Sequence, residues 1–338
     1  MSELKDAGIL MRMMNSAMQQ MDVDIESIYR KCGVTEAHLE NTQIRTPHEA
    51  NLIFWNAAET VTQDANVGLH FGEKMPVFKG QVLEYLFLSS PSFGEGLKRA
   101  LDYQRLLSDA ASARLEIDGD QACLIADTSS DVIKNLRHFN ECVAVGLIQF
   151  FKYVTEGEFS PSKLTFHFSQ PADISEHQRV FGCPVEFNNA HNRIYFDAEL
   201  LKRSSLHAES ELLELHEQLA GKHVAKLERQ DLISRVNKII GELLETGEVS
   251  LDVVAERMSL KSRSLRSKLT EAGTNFNQLF SDYRCHLAKR LLVRTEESVD
   301  EIVYLTGFSE PSTFYRAFKR WTGMTPVEYR KSKSGMRF

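Results

Sequence analysis

The sequence predicts a mixed α+β N-terminal domain followed by an all-α C-terminal domain that carries two helix-turn-helix units. Three observations predict this. Apolar residues keep helical spacing through most of the chain, but alternation appears in segments between Ala113 and Phe196. After Phe196 the spacing is helical to the end. The last third also holds a weak internal repeat, 49 residues apart.

Taken in order, Leu4 to Lys31 reads as one helix, with Ile9, Leu10, Met13, Met14 and Ala17 on one face. A second helix follows Thr46-Pro47 and runs to about Thr60, with Thr46 as N-cap and Pro47 at its first position. Gln81–Leu88 and Ser92–Leu107 read as two more helices, parted by Ser89-Ser90-Pro91. Two strands should flank a hairpin turn at Asp118-Gly119. A long helix is expected from about Val132 to Val154, a strand from Lys163 to Phe168 and a short helix from Ser175 to Phe181. Val185–Phe187 and Arg193–Phe196 add strands. Helices near Glu209–Leu219 and Leu232–Leu244 flank a polar stretch, Ala220 to Arg229, read as a linker although a helix is equally compatible with it. The domains are therefore 1–220 (α+β), 221–230 (linker) and 231–338 (all-α).

Composition excludes several classes. With 42% hydrophobic and 26% charged residues the 338-residue chain has the balance of a globular protein of about two domains. No stretch approaches the ~18 apolar residues of a membrane span, and the N-terminus lacks the basic and apolar regions of a signal peptide. The expected compartment is the cytoplasm. Five scattered cysteines (Cys32, Cys123, Cys142, Cys183, Cys285) form no C-x-x-C pair, which argues for neither a disulfide framework nor a zinc ribbon. The net charge of −7 is unevenly spread. From Asp231 onward there are 18 Lys and Arg against 14 Asp and Glu; the remainder has 22 against 33. A basic block on an acidic body points to phosphate contact by the block alone.

The repeat gives that block a mechanism. Leu251–Met258 is echoed by Asp300–Phe308, and Ser262–Leu269 by Pro311–Phe318. Each copy is a short helix, a turn and a second helix, the arrangement that places one helix in the major groove of double-stranded DNA. Helical phase sorts the second helices. Leu265 and Leu269 must face the core, leaving Ser262, Arg263, Arg266 and Ser267 outward; Phe314 and Phe318 leave Ser312, Thr313, Tyr315 and Arg316 outward. Arginine reads guanine bidentately, and hydroxyls serve bases or phosphates. Lys261, Lys268, Lys319 and Arg320 are placed for phosphates. A helix from Asn277 to about Arg294 joins the copies.

The block resembles the AraC/XylS family of bacterial transcription regulators. The resemblance rests on Gly307-Phe308, on Phe314-Tyr-Arg-Ala-Phe-Lys-Arg320, on Gly323-Met-Thr-Pro-Val-Glu-Tyr-Arg330, and on Tyr283-Arg284, Leu287-Ala288 and Leu291-Leu292 of the connecting helix. It implies base contacts by Arg263, Arg266 and Ser267, and by Pro311, Ser312, Thr313, Tyr315 and Arg316. Two residues depart from the pattern: Lys261 stands where the family usually has a capping serine, and Ser267 where it often has arginine. The N-terminal part resembles the domain of the ornithine-utilisation and virulence-regulator branch rather than the arabinose-binding cupin barrel. That likeness rests on Gly80-x-x-x-x-Tyr85, Ser90-Pro91, Leu106–Asp109, Phe181–Phe187 and Asn192–Asp197. It implies a sensory domain, a small-molecule effector such as a fatty acid or other small carboxylate, and a homodimer that works with RNA polymerase as an activator.

An effector site needs apolar walls and a few polar anchors. The residues offered for it are Lys79, Tyr85, Tyr103, Arg105, His138 and Phe139, with Arg105, His138 or Lys79 facing the carboxylate. Other chemistry is thin. Gly94-Glu-Gly96 lacks the third glycine and the preceding strand of a phosphate loop. His138 and Cys142 are four apart on a helix but have no further metal ligands nearby. No cofactor, metal or catalytic residue is expected, and no enzyme. Two readings stand: a regulator that senses a small molecule, or a constitutive DNA-binding regulator whose N-terminal domain serves only oligomerisation or polymerase contact.

Overall fold

The structure, a computed structural model, describes residues 4–41, 44–244 and 248–334. The chain forms two compact units that part at Val224–Ala225. In the first, strand β1 (Lys5–Ala7) pairs antiparallel with β2 (Arg45–Pro47), Asp6 opposite Thr46. Between them lie α1 (Gly8–Gln20), α2 (Ile25–Cys32) and α3 (Glu36–Glu40). The single helix expected from Leu4 to Lys31 is thus interrupted. Asp22 turns the chain at φ +52, and the Asp24 carboxylate accepts from Ser27 N and starts a new helix. Thr46 is not an N-cap either: it is a strand residue, and α4 (Ala50–Thr62) follows Glu49 with no side-chain cap. Then come α5 (Val67–Lys74), α6 (Val82–Ser89) and α7 (Phe93–Asp102), the last capped by Ser92, and a 3-10 turn at Gln104–Leu106.

The central sheet has the order β3 (Ala111–Asp118), β4 (Gln121–Thr128), β7 (Arg193–Asp197), β5 (Lys163–Thr165), β6 (Val185–Glu186). Neighbours are antiparallel except the β5–β6 pair. The hairpin loop is Gly119-Asp120, one residue later than expected, with Gly119 at φ +57. Short α8 (Asp131–Lys134), long α9 (Arg137–Val154) and α10 (Ser175–Phe181) complete the unit. Val132–Val154 is therefore two helices rather than one. The Asn140 amide braces the break by donating to the carbonyls of Ile133, Lys134 and Leu136, around the junction of the two helices. The strand expected to reach Phe168 stops at Thr165; Phe166 and Phe168 turn into the core instead. That core is filled by interlocking phenylalanines, Phe87, Phe93, Phe150, Phe151, Phe159 and Phe196, with ring centroids 5.0–6.3 Å apart. Each such ring contributes about 1.5–3 kcal/mol through burial.

Helix α11 (Ser210–Leu244) begins in the first unit and ends in the second. Residues 221–230 are helical within it. The second unit continues with α12 (Leu251–Arg257), α13 (Ser262–Glu271), α14 (Phe276–Arg294), α15 (Val299–Leu305), α16 (Pro311–Thr322) and α17 (Pro326–Ser334). Ser250 and Asn275 cap α12 and α14, and Ser298 with Glu301 forms a capping box on α15. Two separate cores result. Val236, Ile240, Leu265 and Leu269 anchor one; Leu292, Ile302, Phe314 and Phe318 anchor the other. Between α15 and α16 the chain turns at Gly307, φ +71, where an added Cβ would fall 2.5 Å from Leu244 Cδ2. Gly307→Ala should therefore cost about 1–3 kcal/mol from backbone strain, read as a shift in the denaturant midpoint. An unchanged midpoint would mean that the turn can relax.

Candidate nucleic-acid interface

Each helix-turn-helix unit presents its second helix in the orientation that the apolar pair dictates. Leu265 and Leu269 of α13 are buried, and Arg263, Arg266, Ser267 and Lys268 lie exposed on the other side. Ser262, half-buried, spends its hydroxyl on Asp252 of α12 and so locks the two helices of the unit together. The Ser267 hydroxyl donates to Glu271 Oε1 at 2.9 Å, so this exposed group has an internal partner. Lys261 is the N-cap residue of α13 and supplies no side-chain bond, which leaves that first turn less well held than a serine would.

In the second unit Phe314 and Phe318 are buried, while Pro311, Ser312, Thr313, Arg316, Lys319 and Arg320 are exposed and Tyr315 is half-buried. Pro311 opens α16 at the position where its missing N–H costs nothing. Arg316 Nε donates to the Ser312 carbonyl at 3.3 Å. Arg263, Arg266, Lys268, Arg316, Lys319 and Arg320 form no ion pair among the described residues. Uncompensated cations on the outward faces of two short helices suit a polyanion.

Two arginines that sequence reasoning gave no role hold this scaffold. Arg284 of α14 donates through Nε to the Thr306 carbonyl and through Nη2 to the Gly307 carbonyl, both at 2.8 Å, and its guanidinium lies over the Phe308 ring. Burial pushes its pKa down to about 10, which still leaves it charged at neutral pH. Arg330 of α17 likewise donates to the carbonyls of Leu292, in the last turn of α14, and of Glu297 beyond it. Their partners are backbone carbonyls more than 20 residues away, which leave no pattern in a sequence.

A family model described as a helix-turn-helix domain matches residues 254–332. Another, described as the arabinose-binding N-terminal domain of AraC transcription regulators, matches residues 23–205, more than half of the chain. The chain belongs to the AraC family of transcription regulators. It is 28% identical over 278 residues to the ornithine utilization regulator of Pseudomonas aeruginosa, covering 82% of this chain and 81% of that one. It is 30% identical over 172 residues to the transcriptional regulator VirS of Mycobacterium tuberculosis, 49% of this chain and 48% of that one. Among solved structures, the regulator CdpR of P. aeruginosa aligns over 95% of this chain and 97% of that one, with 20% identity and a TM-score of 0.47. This family member binds DNA through its C-terminal domain. Its N-terminal sheet is open, with β3 and β6 at its edges.

The six residues offered for an effector fall in three places. Lys79 sits over the Tyr153 ring, 4.3 Å from its centre, and Tyr85 stacks on His216, both beside α6, where Tyr103 packs on Leu83 and Leu86. Arg105 pairs with Asp109 at 3.1 Å. His138 and Phe139 lie on α9 among Trp55, Phe54 and Phe71. The structure brings together a different group there. Glu141, fully buried, accepts from Arg137 Nε at 2.6 Å and from His177 Nε2 at 2.7 Å, with His138 Nδ1 at 3.3 Å. Burial alone would raise its pKa, but the hydrogen bonds from His138 and His177 and the Arg137 charge bring it down to about 2. The i,i+3 and i,i+4 spacing of His138 and Arg137 to Glu141 was the available signal; the third partner, His177, comes from α10. The thiols are poor nucleophiles. Burial pushes Cys142 up to about 12 and Cys183 to about 11, and raises Cys32, Cys123 and Cys285 as well. No helix among the described residues is long and apolar enough to cross a membrane.

Proposed function

We propose that this AraC-family regulator recognises specific DNA sequences by placing α13 and α16 in successive major-groove segments and changes its affinity when the N-terminal domain takes up a small effector. The observation that carries the reading is the pair of outward arginine-bearing helices, each seated by two buried apolar residues and free of carboxylate partners on its cations. In this reading Arg263, Arg266 and Ser267, and Pro311, Ser312, Thr313, Tyr315 and Arg316, meet base edges. Ser262, Lys268 and Lys319 position the backbone. The functional domains are 1–220 and 231–338. The effector part is supported by the match of the N-terminal domain to an arabinose-binding type, and the effector is a fatty acid or other small carboxylate. Pairing of two copies is supported by Leu212, Leu215 and Leu219, which leave an exposed apolar stripe on α11.

Arg316→Ala is expected to cost about 1–3 kcal/mol on the target duplex and to relax preference at one base pair. Selection of bound duplexes from a random pool gives the target first; quantitative band shifts then compare the variant on target and single-mismatch duplexes. Equal affinity and equal preference would remove α16 from the groove. The packed phenylalanine core and the separation of the six offered residues favour a second reading, a constitutive regulator with no effector. Band shifts with and without fatty acids and small carboxylates separate the two.

A further inference from the structure

A recess of about 360 Å³ opens between α14 and α16 of the second helix-turn-helix unit. Three of its lining residues are arginines, Arg284, Arg316 and Arg320, and none is acidic. Phe280, Phe308 and Trp321 form its apolar side. Arg284 is held rigidly there, with Nε and Nη2 committed to carbonyls and the guanidinium between the rings of Phe308 (3.2 Å) and Phe280 (5.0 Å). Its Nη1 has no partner among the described residues, and none of the three arginines has a carboxylate partner among them. A half-buried guanidinium fixed without a counter-ion is a costly arrangement unless an anion completes it. Asn277 and Thr313 add hydrogen-bonding groups at the rim.

Thr313, Arg316 and Arg320 follow one another at i, i+3 and i+7, so the recess opens on a single face of the helix assigned above to the groove. The backbone of a duplex entered by α16 passes along that face. We propose that this recess clamps one DNA phosphodiester, with Arg284 and Arg320 on the phosphate oxygens and the deoxyribose against the aromatic side. The connecting helix α14 is then itself a DNA-contacting element, and the contact carries no base preference. The inference rests on the reading of α16 as a groove helix.

The test uses the full chain with two variants at exposed positions. Arg320→Gln removes one clamp cation. Asn277→Asp places an anion at the rim, in the first turn of α14, where an acid favours the helix dipole and the fold is kept. Binding of target and scrambled duplexes is measured between 50 and 300 mM salt, settings of roughly the range over which phosphate contacts are resolved. Both variants should bind both duplexes about tenfold more weakly, and the log–log salt slope should fall by about one for Arg320→Gln. Unchanged affinity and slope in both variants would overturn the clamp. So would a melting temperature raised by inorganic phosphate in the wild type but not in Arg320→Gln while the DNA slopes stay equal, since the recess would then serve free anions. Failure of the base-reading assignment shows elsewhere, as unchanged base preference in Arg316→Ala.

Discussion

Glu141→Ala should destabilise the N-terminal unit by about 3–5 kcal/mol, the range expected when one partner of a buried ion pair is removed. The carboxylate has no exposure to solvent and is the common acceptor for Arg137, His138 and His177, which come from α9 and α10. Without it, His177 is a buried ring with no partner on either nitrogen, because its Nδ1 is already unpartnered. On the α5 side the backbone packs directly against the site. Gly68 lies so close that a Cβ there would overlap the His138 backbone and the Glu141 carboxylate. Denaturant unfolding of wild type and variant at neutral pH gives the difference; a gap under about 1 kcal/mol would mean that the network is stabilised mainly by its surroundings.

The same group sets a pH signature. Its carboxyl is depressed from an ordinary 4.5 to about 2 in the folded chain. A depressed carboxylate stabilises the fold above its unfolded value and loses that contribution as protons bind. The gap between wild type and Glu141→Ala should therefore be full above pH 4.5 and shrink steadily toward pH 2, by about 3 kcal/mol at most. A gap independent of pH over that window would assign the stability of the site to shape rather than charge.

What was legible in the sequence follows from the range of the interactions involved. The helices of the second unit were readable because each is decided within a few residues: Leu265 with Leu269 and Phe314 with Phe318 fix the buried side, Pro311 and Pro326 fix starts, and Gly307 fixes a turn. The errors in the first unit came from one distant strand pairing and from side chains that bind nearby backbone in place of the helix. Thr46 carries the residue type of a cap, but Asp6, 40 positions earlier, holds it in a strand. Leu4 to Lys31 keeps one helical phase, yet Asp22 and Asp24 interrupt it with a turn and a cap that compete with the helix. The break before α9 depends on one amide, Asn140, reaching back to three carbonyls. On the DNA side, Arg263, Arg266, Ser312, Thr313 and Arg316 could be sorted outward by phase alone, although Ser262 is tied to Asp252 and Tyr315 packs against the second core. Arg284 and Arg330 could not, because a side chain that binds backbone carbonyls demands no particular residue at the other end.

Phe314→Ala isolates the contribution of the second core. Phe314 is fully buried and meets Phe308 edge-on at 5.4 Å and Phe318 at 5.7 Å, with Ile302 and Val303 of α15 in the same cluster. Truncation leaves a cavity the size of a ring in a core built by only a few helices, and the expected cost is about 3–5 kcal/mol. The first core shares none of its buried residues with this cluster. The loss should therefore be local: amides of α15 and α16 should lose hydrogen-exchange protection while those of α12 and α13 keep theirs. DNA affinity should fall toward the nonspecific level, because one helix-turn-helix unit remains to read half of the site. Uniform loss of protection over α12 to α16 would instead mean that α14 couples the two cores into one cooperative element, and the two halves of the DNA site could then be gained or lost only together.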